Sequence, residues 1–149
     1  MIENSIIESD IQFVPNTKVV VKNSTIRFRG VFAYADITEG ELIERCPLLP
    51  LGFRSRYHSD PQIWQYFYTG KYCDCKECKT HGFGFYAALG YGSIYNHSND
   101  PNAHMVFNYG NLYVDIISNK YISKNEEILI NFEKEKTFLN REHDTNTAN

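Results

Sequence analysis

Apolar residues in this chain come in short runs, and each run is cut off by turn-forming residues within a few positions. Lys18-Val19-Val20-Val21-Lys22, Val31 to Ile37, Glu41 to Cys46, Phe83 to Leu89, His104 to Phe107, Leu112 to Ile117 and Glu127 to Phe132 read as strands. They are rich in β-branched and aromatic residues, which fit a pleated, half-buried surface. Thr38-Glu39-Gly40, the pair Pro47 and Pro50, Gly90-Tyr91-Gly92-Ser93 and Tyr109-Gly110-Asn111 supply the breaks between them. Helix signals are sparse. Ser59-Asp60-Pro61 opens one short helix, with the proline in its first turn. Many strands, frequent turns and little helix predict a mostly β fold of several small sheets with few short helices.

The chain has 149 residues, enough for one ordinary domain with its own core. Neither internal repeats nor a second domain is evident. Hydrophobic residues make up 42% and aromatics 15%, which is a globular composition. The net charge of −3 lacks the basic footprint of a nucleic-acid binder and suits a basic partner. The apolar runs are far too short to cross a bilayer, and no charged-then-apolar leader opens the sequence. The expected location is the cytoplasm, or the nucleus of a eukaryotic cell or host. Three of the four cysteines, Cys73, Cys75 and Cys78, crowd into six residues, which in such a chain suggests metal before disulfides. With His81 they make four potential ligands of the kind tetrahedral zinc takes. One tight loop supplying all four is unusual, and free surface thiols are the alternative. Cys46, beside Pro47, reads as a core residue.

The densest polar cluster is Asn96-His97-Ser98-Asn99-Asp100-Pro101-Asn102. Asn side chains both donate and accept, so they recognise a heteroaromatic edge or pin a loop. From the residues alone the segment is either a ligand-binding loop or an Asx-rich turn capped by its own side chains.

Asn96-His97-Ser98-x-x-Pro101-Asn102 resembles the Asn-His-Ser-x-x-Pro-Asn signature of SET-domain lysine methyltransferases. Three more segments follow that family's order: Arg29-Gly30-Val31-Phe32-Ala33, Ile37-Thr38-Glu39-Gly40-Glu41-Leu42-Ile43, and Glu126-Glu127-Ile128-Leu129-Ile130-Asn131-Phe132. Four motifs in order are far more specific than one. The likeness spans roughly residues 18 to 135 and is greatest to the compact viral and bacterial members. It implies a β-clip-like SET fold over residues 18–135, with a lead-in at 1–17 and a tail at 136–149. It also implies a C-terminal pseudoknot, with Ile128 to Phe132 packed beneath the Asn-His-Ser segment.

By the same resemblance the cofactor is S-adenosylmethionine, held by Phe28, Arg29, Gly30, Asn96 and His97, and the substrate is a lysine of a histone or another Lys-rich protein. Tyr66 and Tyr95 would line the lysine channel. The compact members also suggest a homodimer. Two positions depart from the family pattern. Phe28 stands where a glycine is usual; Phe resists positive φ, so a locally different loop is expected. Phe132 stands where the family has its catalytic tyrosine. Loss of that oriented hydroxyl would cost about 10²–10³ in rate by analogy with other lost electrostatic donors. Tyr66, Tyr95 or Tyr91 would have to stand in, or the chain is a catalytically impaired module that binds cofactor or protein. The family's zinc cysteines lie elsewhere, so Cys73, Cys75, Cys78 and His81 take no role from the resemblance.

Overall fold

The computed structural model describes residues 11–51, 60–64, 66–70 and 84–131. Among these, nine strands form three small sheets, and there is one short helix. Strands β1 (Val19–Asn23) and β2 (Arg29–Ala33) form an antiparallel hairpin. The central sheet holds β3 (Leu42–Leu51), β4 (Phe67–Gly70), β5 (Gly84–Ala88), β7 (Ala103–Asn108) and β8 (Tyr113–Ser118), in the order β4-β5-β3-β8-β7. The third sheet is a two-residue parallel pair, β6 (Asn96–His97) with β9 (Leu129–Ile130). This is the mostly β architecture expected. The β6–β9 pair sets the closing motif against the Asn-His-Ser segment, and Ile128 and Ile130 are fully buried. Pairing alone does not make a thread through a loop, and Phe132 lies outside the described residues.

Strand β3 shows where the local signals misled. Pro47 and Pro50 were expected to end it, yet it runs on to Leu51. It pairs with β8 through Pro47 and with β5 from Leu48 onward, so away from the Pro47–Leu48 junction each stretch is laddered on one side. A missing N–H is tolerated where it can face away from the ladder. The short helix α1 (Pro61–Trp64) starts as read: Asp60 Oδ1 accepts the Gln62 N–H at 2.8 Å, capping it, with Pro61 first inside.

The core gathers Val31, Ala33, Ile37, Ile43, Cys46, Val114, Ile116, Ile122, Ile128 and Ile130, all essentially without solvent contact. Inward positions alternate on β8, as period-2 patterning requires. Part of the aromatic content is packing. Tyr68 lies 5.8 Å from Phe107, which stacks on Tyr109 at 5.4 Å, and Tyr86 meets Tyr109 at 5.1 Å. Cys46 is buried as expected, and burial, with the Glu44 carboxylate beside it, pushes its thiol well up.

A short local repeat escaped the sequence reading. Ile37-Thr38-Glu39-Gly40-Glu41 and Ile122-Ser123-Lys124-Asn125-Glu126 fold into the same turn. Ile37 and Ile122 exchange both backbone hydrogen bonds, at 2.8 and 2.9 Å.

Candidate active site

The hairpin loop between β1 and β2 and the segment leading into β6 meet in one cleft of about 260 Å³. It is lined by Arg27, Phe28, Arg29, Tyr66, Ser93, Ile94, Tyr95 and Asn96. Five of the residues singled out from sequence, Phe28, Arg29, Tyr66, Tyr95 and Asn96, therefore share one wall system although 67 positions separate Arg29 from Asn96.

Asn96 is the centre of that meeting and is only 3% exposed. Its Nδ2 has four acceptors within reach: Glu127 Oε2 at 2.8 Å, Arg29 O at 3.0 Å, Ser24 Oγ at 3.1 Å and Arg27 O at 3.4 Å. Two amide hydrogens shared among four acceptors fix the flip of the side chain, because turning it would set Oδ1 against other oxygens. Ser24 in turn donates to the Glu127 carboxylate, at 2.9 and 3.0 Å. A buried amide thus ties the hairpin loop to the closing motif.

At Gly30 the chain itself makes a close approach. A Cβ there would collide with the Glu127 carboxylate and stand 3.0 Å from Asn96 Nδ2. Phe28 differs from expectation. It takes positive φ, at 26°, in spite of its side chain, which is 70% exposed. Such a conformation costs an L-residue about 1–2 kcal/mol. Holding the carbonyls on either side of Phe28, those of Arg27 and Arg29, against Asn96 over-determines the loop.

The two channel candidates behave differently. Tyr95 is 1% exposed, and its hydroxyl donates to Glu44 Oε1 at 2.7 Å. Burial, and then the Glu44 charge, push its ionisation well above the ordinary tyrosine range. That hydroxyl is committed on the side away from the cleft. Tyr66 is half-buried, with the Arg27 guanidinium 4.6 Å above its ring. Among the described residues no hydrogen bond engages its hydroxyl. Tyr68 spends its hydroxyl on Gly92 O at 2.9 Å.

His97 does not line the cleft; its Nε2 pairs with Asn99 Oδ1 at 3.0 Å, and its backbone pairs with Ile130. Asn102 has a structural part, donating to Glu127 O at 2.9 Å and accepting the Leu129 N–H at 2.7 Å. Phe132, Cys73, Cys75, Cys78 and His81 lie outside the described residues. Among the described residues no cluster of potential metal ligands occurs.

Three participants were not singled out from sequence. Ser24 sits in a turn whose only signal was its polarity. Glu127 was read as part of a motif but given no role. Glu44 lay inside the strand read from Glu41 to Cys46 and was given no role.

The cleft combines arginine and aromatic lining residues, a set that can meet a carboxylate and stack a flat ring.

Comparison with known proteins agrees with this architecture. The family profile described as SET domain matches residues 29–133. Among solved structures, a Plasmodium falciparum protein described as a candidate histone methyltransferase superposes with TM-score 0.60 at 27% identity, covering 80% of this chain and 95% of that one. ATXR5, in complex with histone H3.1 mono-methylated on R26, gives TM-score 0.61 at 14% identity over 79% of this chain and 58% of that one. The ctPRC2 complex, in an autoinhibited conformation bound to S-adenosylmethionine, gives 0.63 at 18% identity over 90% of this chain and 17% of that one. The last two likenesses concern the fold, and this chain spans only part of those larger proteins. No curated protein matches the sequence. With the family profile covering most of the chain and the cleft joining its first and third motifs, the protein belongs to the SET domain family.

Proposed function

We propose that this domain transfers a methyl group from S-adenosylmethionine to the side-chain amine of a lysine in a protein substrate. The observation that carries the proposal is the single cleft joining the Phe28–Arg29 loop to Tyr95 and Asn96. When bound, the cofactor supplies an electrophilic methyl on a sulfonium; the amine lone pair takes the methyl, and the sulfur keeps the electron pair of the broken bond.

Everything else falls to the protein. Asn96 and the Arg27 and Arg29 backbone hold the amino-acid end, and the guanidinium groups take its carboxylate. Methyl transfer of this kind is driven chiefly by alignment of the two reactants. Lysine must arrive neutral, and an apolar, aromatic approach lowers its proton affinity by disfavouring the charged form. The proton it sheds leaves to solvent. We assign the orientation of the amine to the Tyr66 hydroxyl; its support is that Tyr66 lines the cleft while the hydroxyls of Tyr95 and Tyr68 are already spent. The histone H3.1 in the ATXR5 complex makes histones the first substrates to try.

Calorimetry with S-adenosylhomocysteine, beside transfer of labelled methyl to histones, tests this. We expect uptake of the cofactor product, and transfer that falls roughly 10²-fold in Tyr66→Phe with affinity for the cofactor product unchanged. Absence of uptake overturns methyl transfer altogether. Uptake without transfer, in the natural chain and in Phe132→Tyr alike, supports the second reading: a module that binds cofactor or protein without turnover. The sequence feature that favours that second reading is Phe132.

A further inference from the structure

The segment from Gly90 to Asn96 has two sides. One forms the floor of the cleft through Ser93, Ile94, Tyr95 and Asn96. The other is wrapped around a single carboxylate, that of Glu44 on β3. Glu44 Oε1 accepts the Tyr95 hydroxyl at 2.7 Å, and Oε2 accepts the Tyr91 N–H at 2.9 Å. Gly90 takes positive φ, at 62°, and a Cβ there would come within 2.5 Å of Glu44 Oε2. At Gly92 a Cβ would press on Ala88 and on Cys46. The two glycines of Gly90-Tyr91-Gly92-Ser93 are therefore explained by the close passage of this segment over β3. Ser93 adds a third tie, donating to Ala88 O at 2.9 Å.

Glu44 is in an unusual position for a structural carboxylate. Its neighbours Ile43 and Cys46 are buried core residues. Among the described residues its partners are neutral donors: the Tyr95 hydroxyl and the Tyr91 N–H of the cleft-floor segment, with the Cys46 thiol of its own strand beside them. Half-burying a charge to bind two neutral groups costs desolvation that an apolar residue would avoid. A carboxylate does what an apolar residue cannot: it pins a hydroxyl and a backbone N–H at a fixed separation.

We propose that Glu44 is a positioning residue of the cofactor cleft, acting through Tyr95 and Tyr91. By drawing the Tyr95 hydroxyl to the far side, it presents the Tyr95 ring to the cleft and sets the height of Asn96, the next residue. The inference deepens the methyl-transfer function and rests on it, since the ligand whose binding reports the positioning is S-adenosylhomocysteine.

The test is a double-mutant cycle in the full chain with Glu44→Gln and Tyr95→Phe. Glutamine keeps the size but has one acceptor where glutamate has two, so it loses one of the two donors or meets it with an N–H. We expect each single variant to weaken S-adenosylhomocysteine about tenfold by calorimetry, as loss of a hydrogen bond to a charged group would. The double variant should be little worse than either single one, because the bond they share is lost once. Thermal unfolding of the same four proteins separates cleft geometry from folding. A shift in melting temperature with affinity unchanged would show Glu44 to be structural only and would overturn the proposal. So would two affinity losses that simply add. If the natural chain takes up no S-adenosylhomocysteine, the methyl-transfer function itself fails. If the natural chain binds it and Glu44→Gln binds it equally well, only the positioning role fails.

Discussion

Two turns in this protein are built alike and put to different use. In the first, Thr38 N–H and its hydroxyl donate to Glu41 Oε1 at 3.2 and 3.1 Å, and Glu41 N–H returns to Thr38 O at 3.2 Å. In the second, Ser123 N–H donates to Glu126 Oε1 at 3.1 Å, and Glu126 N–H returns to Ser123 O at 3.0 Å. The fourth residue of each, Gly40 and Asn125, has φ of 79° and 76°. Each turn then bonds back to the strand before the other: Gly40 N–H to Ser118 O and Ser118 N–H to Glu41 O; Asn125 N–H to Ala33 O and Ala33 N–H to Glu126 O. The bonds are reciprocal, so the turns are related by a local two-fold about the Ile37–Ile122 bridge. They part at the next residue. Leu42 follows Glu41 and is largely exposed, whereas Glu127 follows Glu126 and reaches Asn96 and Ser24. The turn is scaffold in both places; one side chain beyond it separates a surface corner from a wall of the site.

The strongest way to break the comparison is to spell the second turn like the first, with Glu127→Leu. The turn should survive, because its bonds come from Ser123, Asn125 and Glu126. Asn96 keeps Arg29 O but loses its shortest partner, and the Ser24 hydroxyl loses its acceptor. Destabilisation of about 2 kcal/mol is expected, together with loss of measurable S-adenosylhomocysteine uptake. Urea unfolding and calorimetry on the same variant check both. Normal uptake by a folded Glu127→Leu protein would show that the Asn96 network has no bearing on the cleft.

A smaller effect comes from exchanging the left-handed residues. Gly40 has nothing within 4 Å of the space its Cβ would fill, so only backbone strain opposes substitution. Gly40→Ala should cost about 1–2 kcal/mol. Gly40→Asn, borrowing the residue of the second turn, should cost less than Gly40→Ala, since Asn visits this region more readily. Asn125→Gly should fall within about 0.5 kcal/mol of the natural chain, as relief of strain is offset by a freer unfolded state. Denaturant midpoints of the three variants rank them; equal costs for Gly40→Ala and Gly40→Asn would mean that the two turns are not equivalent.

This pair also shows how far the sequence could be read. The strands were visible because β-branched runs and turn residues are local signals, and the cap of α1 was visible in Asp60-Pro61 for the same reason. The repeat was harder, because Thr against Ser, and Gly against Asn, match in turn chemistry and not in letters. The site was legible only in part. Asn96 and the Phe28–Arg29 loop came through a motif, but the partners that orient them did not. Ser24 lies 72 positions from Asn96, and Glu44 lies 51 positions from Tyr95. Neither carries a local mark of its role, because the role arises from the strand that packs against it. The Phe28 loop was misjudged for a related reason. What occupies the space beside Gly30, and what holds Phe28 at positive φ, are long-range facts.

The smallest expected effect separates the turns by charge. Lys18 Nζ donates to Glu41 Oε2 at 2.8 Å, a pair the second turn lacks among the described residues. That hydrogen bond, helped by those from the Thr38 N–H and hydroxyl, holds the Glu41 carboxyl below its ordinary value of 4.5, against the opposing effect of burial. A carboxyl lowered in the folded state contributes stability that is fully present above the unfolded value. The contribution is lost as pH falls through the folded value. Both side chains are partly exposed, at 41% and 25%, so solvent screens the pair, and it is worth only a few tenths of a kcal/mol. Lys18→Ala should therefore lower stability slightly at pH 7 and hardly at all once pH has fallen through the lowered folded value of Glu41, and added salt should shrink the difference. Urea midpoints of the two proteins across that range measure it. A gap that stays constant down to low pH would assign the effect to packing of the Lys18 stem against β3 rather than to the ion pair.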